Sequence, residues 1–489
     1  MPDRRKTLDW GSLILPLLIA PLLLFPRLDW IWLAGLVPLW WGADLLLNRR
    51  WLDKTPFNLL LGLLLFMVLV SLFATFDVAF SLPKVSGLIL GVYVFFGLVR
   101  WTDRPERLAL AAAAFCLGGA ALALIGLVGT DWKDKFAIFQ GLERWLPTRL
   151  TGLPGAESGF NANAVGGSMI LFLPLLFLIA RESRRGHARL SHTTQRCVQA
   201  AAWTAVVLLT LVLVLSQSRG AWLGLTGASV ILAWLRFRRV RRAGWVALPL
   251  AAALLLWYPS DLAEWLVGPS GGDLQSIGLN GRIEIWNRAL FAIQDFPFIG
   301  MGMNAFRKAV PLLYPFFSVG PGKDIASAHN HVLQAALDLG IPGMVAYLAL
   351  WSALARTLYE VWRFAQDRAY RILALGLAHG LLAQFIFQIT DAIPLGAKVG
   401  IFFWIALGLA ASLWKISGAA GSSRPDPRGG LSALEVLLTW SLVSLLSVAL
   451  VGEYPAAGLG TGVAGGIFLG YLAAGRFSTS RPRPRQSSL

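Results

Sequence analysis

The chain reads as an all-α integral membrane protein, a polytopic helical bundle. Three observations carry that class. Of its 489 residues 56% are hydrophobic and 14% charged, where soluble domains run near 25% charged. The apolar residues fall in runs of roughly 20, enough to cross about 30 Å of hydrocarbon as a helix. Lys and Arg gather in the short stretches between the runs, which is how spans are oriented. Helices are the default spanning element because lipid offers backbone N–H and C=O groups no partner.

Taken in order, the apolar runs predict about fourteen spans: 11–26, 30–47, 57–75, 82–99, 108–128, 161–180, 198–215, 220–235, 244–258, 329–356, 372–390, 398–414, 431–451 and 456–475. The first run is interrupted by Pro16 and Pro21 and has no small-residue cleavage site after it, so it reads as an uncleaved span rather than a signal peptide. With the N-terminus cytoplasmic, about 30 of the 43 Lys and Arg fall on the cytoplasmic side. The net charge of +17 is therefore a topology signal, and nucleic-acid binding is not expected. Cys116 and Cys197 suggest neither a disulfide framework nor a thiolate metal site. The expected organisation is a transmembrane body over 1–415, containing a large outer loop at 259–328. A polar cytoplasmic linker at 416–430, an additional transmembrane hairpin at 431–475 and a basic cytoplasmic tail at 476–489 follow.

The alternation puts two longer segments outside, 129–160 and 259–328. The second is far longer than a connector requires and suits an active site at a membrane face. Short helices are expected in it: Gly281 or Asn280 can cap one, Trp286, Ala289, Leu290 and Ile293 share a face, and Phe296-Pro297 stops it. The stretch 311–322 is aromatic and rich in Pro and Gly, as for an interfacial loop.

Several residues here can do chemistry. Arg219, in Ser218-Arg219-Gly220, lies between apolar runs on the outer side without basic neighbours. It is either a snorkelling anchor or a fixed cation for an anionic group. Arg282 and Arg288 follow on the loop helix, where a guanidinium can fork onto phosphate oxygens or simply face water. His329 and His331 bracket Asn330 where a span begins. At i and i+2 they do not share a helix face, so one of them is expected to enter a pocket as a base near neutral pH. Zinc would need a third well-spaced ligand, and no metal is expected. Arg149, and Asn163 after a capping Asn161, can contact sugar or phosphate. His379, Gln384, Gln388 and Asp391 either line a polar path or join helices. No P-loop, GxGxxG or serine-hydrolase elbow occurs.

Together these motifs resemble the O-antigen ligase and polymerase superfamily. The marks are Ser218-Arg219-Gly220 after a span, Gly281 to Trp286 in the outer loop, Pro297 to Gly302, His329-Asn330 with Leu333 and Gly340, and Arg149 with Gly152 ahead of Asn163. The likeness runs over roughly 60–415, and order and spacing make it specific where single motifs are weak. It implies a GT-C-like membrane glycosyltransferase of commonly about twelve spans, so the expectation is 12–14 helices, with the hairpin 431–475 as an addition. It implies a glycan donor on undecaprenyl diphosphate and an acceptor such as lipid A core or another glycan. No cofactor is implied, and the site would face the periplasm of a bacterial inner membrane, with both termini cytoplasmic. Carried over by motif, Arg219 and Arg282 would hold the diphosphate and His329 would serve the acceptor hydroxyl. Arg288, His331, Asn330, Arg149 and Asn163 are expected substrate contacts. Ligation to lipid A core is the leading expectation, with polymerase and protein O-glycosyltransferase activities beside it. A solute transporter and a non-catalytic glycan- or lipid-binding scaffold are the more distant alternatives.

Overall fold

The computed structural model describes residues 4–49, 52–130, 132, 152, 159–182, 191–245, 279–317, 319, 324–418 and 432–478. Arg149, residues 246–258 of the expected ninth span, most of the linker and the last residues of the tail lie outside them. Among the described residues the chain is helical, and the isolated bridge between Thr130 and Phe160 belongs to no strand.

The elements are α1 (Arg4–Leu24), α2 (Leu36–Asn48), α3 (Asn58–Ala74), α4 (Val78–Trp101), α5 (Pro105–Gly129), α6 (Ala162–Glu182), α7 (His192–Leu215) and α8 (Arg219–Arg236). Next come α9 (Arg238–Trp245), bent 112° from α8, and two loop helices, α10 (Leu279–Asp295) and α11 (Phe306–Leu313). The rest are α12 (His331–Phe364), α13 (Arg368–Phe387), α14 (Ile401–Ile416), α15 (Ala433–Glu453) and α16 (Pro455–Ser478). Among the described residues ten helices are long and apolar enough to cross a membrane, or eleven with the bent α8–α9 pair; residues 10–24 and α3 are shorter apolar helices. Side-chain oxygens start several of them. Asp77 accepts from Phe80 N, Ser191 from Thr194 N and Ser218 from Ala221 N, while Ser432 and Glu435 form a reciprocal box.

α12 is the axis of the bundle, buried along nearly its whole length. It is not the single uninterrupted span that hydropathy predicts. Gly340, at φ 71° and ψ 174°, breaks it. A helix break inside a bundle orphans backbone groups that must find partners. Here the turn Pro297-Phe298-Ile299-Gly300-Met301-Gly302 provides them: Met301 N donates to Leu337 O (2.7 Å) and Ile341 N donates to Pro297 O (2.8 Å). Gly300, at φ 68°, lies so close that a Cβ on it would stand 2.6 Å from Leu337 O. From the other side Trp440 Nε1 of α15 donates to Pro342 O (2.9 Å).

The terminal pair α15–α16, expected as an addition, is built into this axis. Gly458, Gly462, Gly466 and Gly470 recur at one helical face of α16. A Cβ on Gly466 would stand 2.9 Å from Val345 O, and Gly470 is packed on Ala349 more tightly still. Small residues at this spacing let two backbones meet where no hydrophobic effect drives them together. Ser352 Oγ then donates to Ile467 O (2.6 Å), and Arg356 stacks on Tyr471 (4.2 Å) while donating to its carbonyl (2.6 Å).

The loop helix α10 buries Ala289 and Ile293 of its expected face, with Trp286 and Leu290 partly covered, and Ile285 and Ala292 complete the buried side. The region from 311 onward departs from it. Residues 311–313 finish α11, because burying Phe306 and Val310 keeps that short amphipathic turn helical past Pro311.

Candidate functional site

One polar cluster forms where the starts of α6, α8 and α12 meet the end of α13, and Asp391 is its centre. Asp391 lies just past α13, its N–H bonded to Phe387 O (3.1 Å). His329 Nδ1 lies 3.1 Å from Asp391 Oδ1. The Asn163 side chain, from the first turn of α6, also hydrogen-bonds the carboxylate. Arg282, from the first turns of α10, is close enough to attract Asp391 and to repel Arg219 at the head of α8.

Local backbone structure fixes each of these groups. His329 sits in the left-handed region at φ 49°, a conformation costly for a residue with a Cβ. The surroundings hold it there: Ala328 O accepts from Trp286 Nε1 (3.0 Å) and Ala328 N donates to Gln334 Oε1 (2.8 Å). Asn330 caps α12, accepting from Val332 N (2.9 Å) and Leu333 N (3.0 Å), and its amide donates to Ile389 O (3.0 Å). His331 N donates to Gln388 O (2.9 Å), so the start of α12 is sewn to the residues beside Asp391. Arg219 follows the buried, positive-φ Gln217 and the capping Ser218, and therefore adds its charge to the positive end of a helix. Gly220 completes that turn, since a Cβ there would stand 3.1 Å from Thr390 Oγ1.

Burial pushes the Asp391 carboxyl up, but the His329 imidazole, the Arg282 charge and the Asn163 bond outweigh it and hold Asp391 below its ordinary value. Burial lowers Arg282's hold on its proton, and Asp391 opposes the change. A guanidinium remains charged regardless. The Nε of Arg282 is buried with no hydrogen-bond partner among the described residues. Guanidinium groups from two helices thus converge beside one carboxylate, an arrangement that suits an anionic group. If His329 donates Nδ1–H to Asp391, its Nε2 presents a lone pair that can accept a proton. Among the described residues no three His, Cys, Asp or Glu side chains gather as a metal set.

The structure thus brings together Arg219, Arg282, His329 and Asn163. It does not bring the other expected contacts to them. His331 is 3% exposed, with Nδ1 on Tyr347 Oη (3.0 Å) and its ring edge-on to Phe385 at 4.7 Å. Its side chain leaves on the core face because the helix has begun there. Arg288 lies 3.6 Å from Glu284 and over the Phe317 ring (5.3 Å), while Glu284 accepts from Val319 N (2.9 Å). That pair braces the outer loop. Asn330 is spent on the cap. Arg149 lies outside the described residues. The polar path from His379 to Asp391 separates into three environments: His379 bonds Ser229, Gln384 and Gln388 line a small pocket beside Trp404, and Asp391 belongs to the cluster. Asp391 is the cluster residue that sequence reasoning left outside the candidate site. Its signal is a lone carboxylate just beyond the end of a span, where a buried charge needs partners.

Fold and site together define a polytopic helical membrane protein with a cationic, histidine-bearing pocket where its helix ends converge. Residues 204–348 match the family model described as O-antigen ligase, so this stretch of the chain is similar to the O-antigen ligase and polymerase superfamily. The match contains Arg219, Arg282 and His329, while Asn163 and Asp391 complete the cluster from outside it. No curated protein matches the chain.

Proposed function

We propose that the chain moves a glycan from undecaprenyl diphosphate to an acceptor hydroxyl at the periplasmic face of a bacterial inner membrane, and that the acceptor is lipid A core. The observation that carries this reading is the His329–Asp391 pair beside Arg219 and Arg282. The sidedness is supported by the far ends of the same helices, where Arg181, Arg236, Arg356, Arg363 and Arg368 lie.

In this reading Arg219 and Arg282 hold the diphosphate. As the bond between the sugar anomeric carbon and the phosphate oxygen breaks, negative charge grows on the leaving diphosphate, and the two fixed guanidiniums stabilise it without reorganising. His329 Nε2 takes the acceptor hydroxyl proton as that oxygen bonds the anomeric carbon from the opposite face, giving inversion. Asp391 keeps the imidazole in the Nδ1–H tautomer and stabilises the imidazolium that results. No nucleotide or metal takes part in this scheme. Asn163 orients Asp391. Arg288, His331 and Asn330 position the loop and the helix start rather than the substrate.

The test is glycan transfer by purified protein in liposomes holding undecaprenyl-diphosphate glycan, with and without lipid A core, and with His329→Ala alongside. Core-dependent product that the variant fails to make supports ligation. Longer lipid-linked glycan made without core would replace that acceptor with a second donor, as in a polymerase. No transfer to core or to lipid-linked glycan would refute both.

A further inference from the structure

A second binding feature lies at the opposite end of the bundle. α8, α12 and α13 leave between them a cavity of about 1110 Å³, beyond the roughly 300–1,000 Å³ typical of a small-molecule pocket. Its walls are carbon: Leu232, Leu358, Leu375 and Leu382 with Trp351 and Phe385. The polar pair inside it is self-satisfied. Ser229 Oγ donates to Leu225 O (2.7 Å), so its remaining bond, 2.9 Å from His379 Nε2, is one it accepts from the imidazole N–H.

The mouth is different. Arg236 and Arg363 line the same cavity, both are exposed, and among the described residues neither pairs with a carboxylate. Neighbouring arginines at this end are paired, Arg356 with Glu360 (3.0 Å) and Arg368 with Glu182 (2.5 Å). Tyr359, Trp362 and Phe237 stand around the opening, as aromatic groups do at a headgroup boundary. There α9 turns away from α8 by 112° and carries Arg238, Arg239, Arg241 and Arg242, with Trp245 against Trp234 at 6.5 Å. A short basic helix with this bend lies in the membrane interface.

We propose that this groove holds an anionic glycerophospholipid of the leaflet at the basic end, its acyl chains against the carbon walls and its phosphate between Arg236 and Arg363. α8 has 18 residues, with Arg219 as its first and Arg236 as its last, so the two are separated by about 25 Å of helix. The lipid phosphate is therefore separate from the group held by Arg219. Seated there, the lipid packs on the three helices whose other ends carry Arg219, His329 and Asp391. Bound lipid of one charge class would thus brace the catalytic pocket from the far side of the membrane.

The test needs no glycan, so its outcome is independent of the transferase reading. The full chain in nonionic detergent is titrated with phosphatidylglycerol or with phosphatidylcholine, and retained lipid is counted by native mass spectrometry. One tightly held phosphatidylglycerol is expected, preferred over phosphatidylcholine by roughly 30-fold from two arginines. Arg236→Gln/Arg363→Gln should abolish the preference, and Ala378→Trp, which fills the groove, should abolish retention. Arg241→Gln/Arg242→Gln, on α9 outside the groove, should leave both intact. Equal retention of the two lipids by the wild type would overturn the proposal, as would a preference that survives the first double variant. Loss of the preference in the α9 variant alone would also overturn it, by moving the headgroup onto α9. One-for-one displacement of phosphatidylglycerol by undecaprenyl phosphate would assign the groove to the donor instead.

Discussion

Asp391→Asn is the substitution that separates positioning from folding. The side chains have the same shape, so the bonds from Asn163 and from the turn can persist, but the negative charge is lost. Two consequences follow. The amide can turn its NH₂ toward His329, which forces the imidazole into the tautomer that has its proton on Nε2, where the base must be empty. The imidazolium also loses a charge-assisted hydrogen bond, now 3.1 Å long, a class of interaction worth about 1.5–3 kcal/mol. At about 1.36 kcal/mol per decade this alone slows transfer roughly 10- to 150-fold, and the tautomer error adds to it. The loss belongs in kcat, because Arg219 and Arg282 still hold the donor; KM for the donor should hold or fall as the opposing carboxylate charge is removed. The assay is single-turnover transfer in liposomes with donor concentration varied, beside thermal unfolding in detergent to confirm a folded protein. Asp391→Glu should recover part of the rate, since charge and acceptor return with altered reach. A folded Asn variant within twofold of the wild-type rate would refute the pairing as a source of catalysis. A loss confined to KM would refute the division of labour between Asp391 and the arginines.

The other predictions concern the same scaffold. His329→Ala should cost about 10²- to 10⁴-fold in transfer, whereas His331→Phe should keep most of the rate but unfold at lower temperature. The latter leaves Tyr347 Oη without its partner, at about 1–3 kcal/mol; equal loss of transfer in both variants would contradict the assignment of His329 as the base. Because Asp391's value is depressed on folding, its stabilising contribution is fully present above about pH 3.9 and is lost only as pH falls through the lower folded value. The Asp391 contribution to the difference in unfolding free energy between wild type and Asp391→Asn should therefore shrink as pH falls below about pH 4, as denaturant titrations between about pH 5 and pH 3 would show. Gly466→Leu should destabilise by about 1–3 kcal/mol by forcing α16 off α12. Gly460→Ala, which meets nothing within 4 Å, should stay within about 0.5 kcal/mol of wild type.

The spans were legible because hydropathy reports transfer energy, and transfer energy is what makes a span. The arginines and His329 of the candidate cluster were legible because charge at the ends of apolar runs demands an explanation. What hydropathy passes over is backbone geometry. The run 329–356 is continuous in apolar content, and nothing in that content marks the left-handed turn at Gly340. Asp391 lies 62 residues from His329, so only the return of α13 against the start of α12 joins them. His331 and His329 look equivalent in sequence; the cap at Asn330 separates them, one outside the helix and one inside its core face. The four-residue spacing of Gly458, Gly462, Gly466 and Gly470 was readable, and it marks the added hairpin's α16 as a packing partner of α12.

The exchange of backbone hydrogen bonds between the 297–302 turn and the break in α12 has an evolutionary consequence. A segment that completes its neighbour's hydrogen bonds cannot be swapped by itself, so a recombination point between 297 and 341 would orphan groups on both products. The rim at Phe317 is tied in as well, its N–H donating to the Glu284 carboxylate of α10 and its ring lying under Arg288 (5.3 Å). The stretch 279–341 should therefore be inherited as a block, and a working chimera should be cut on either side of it.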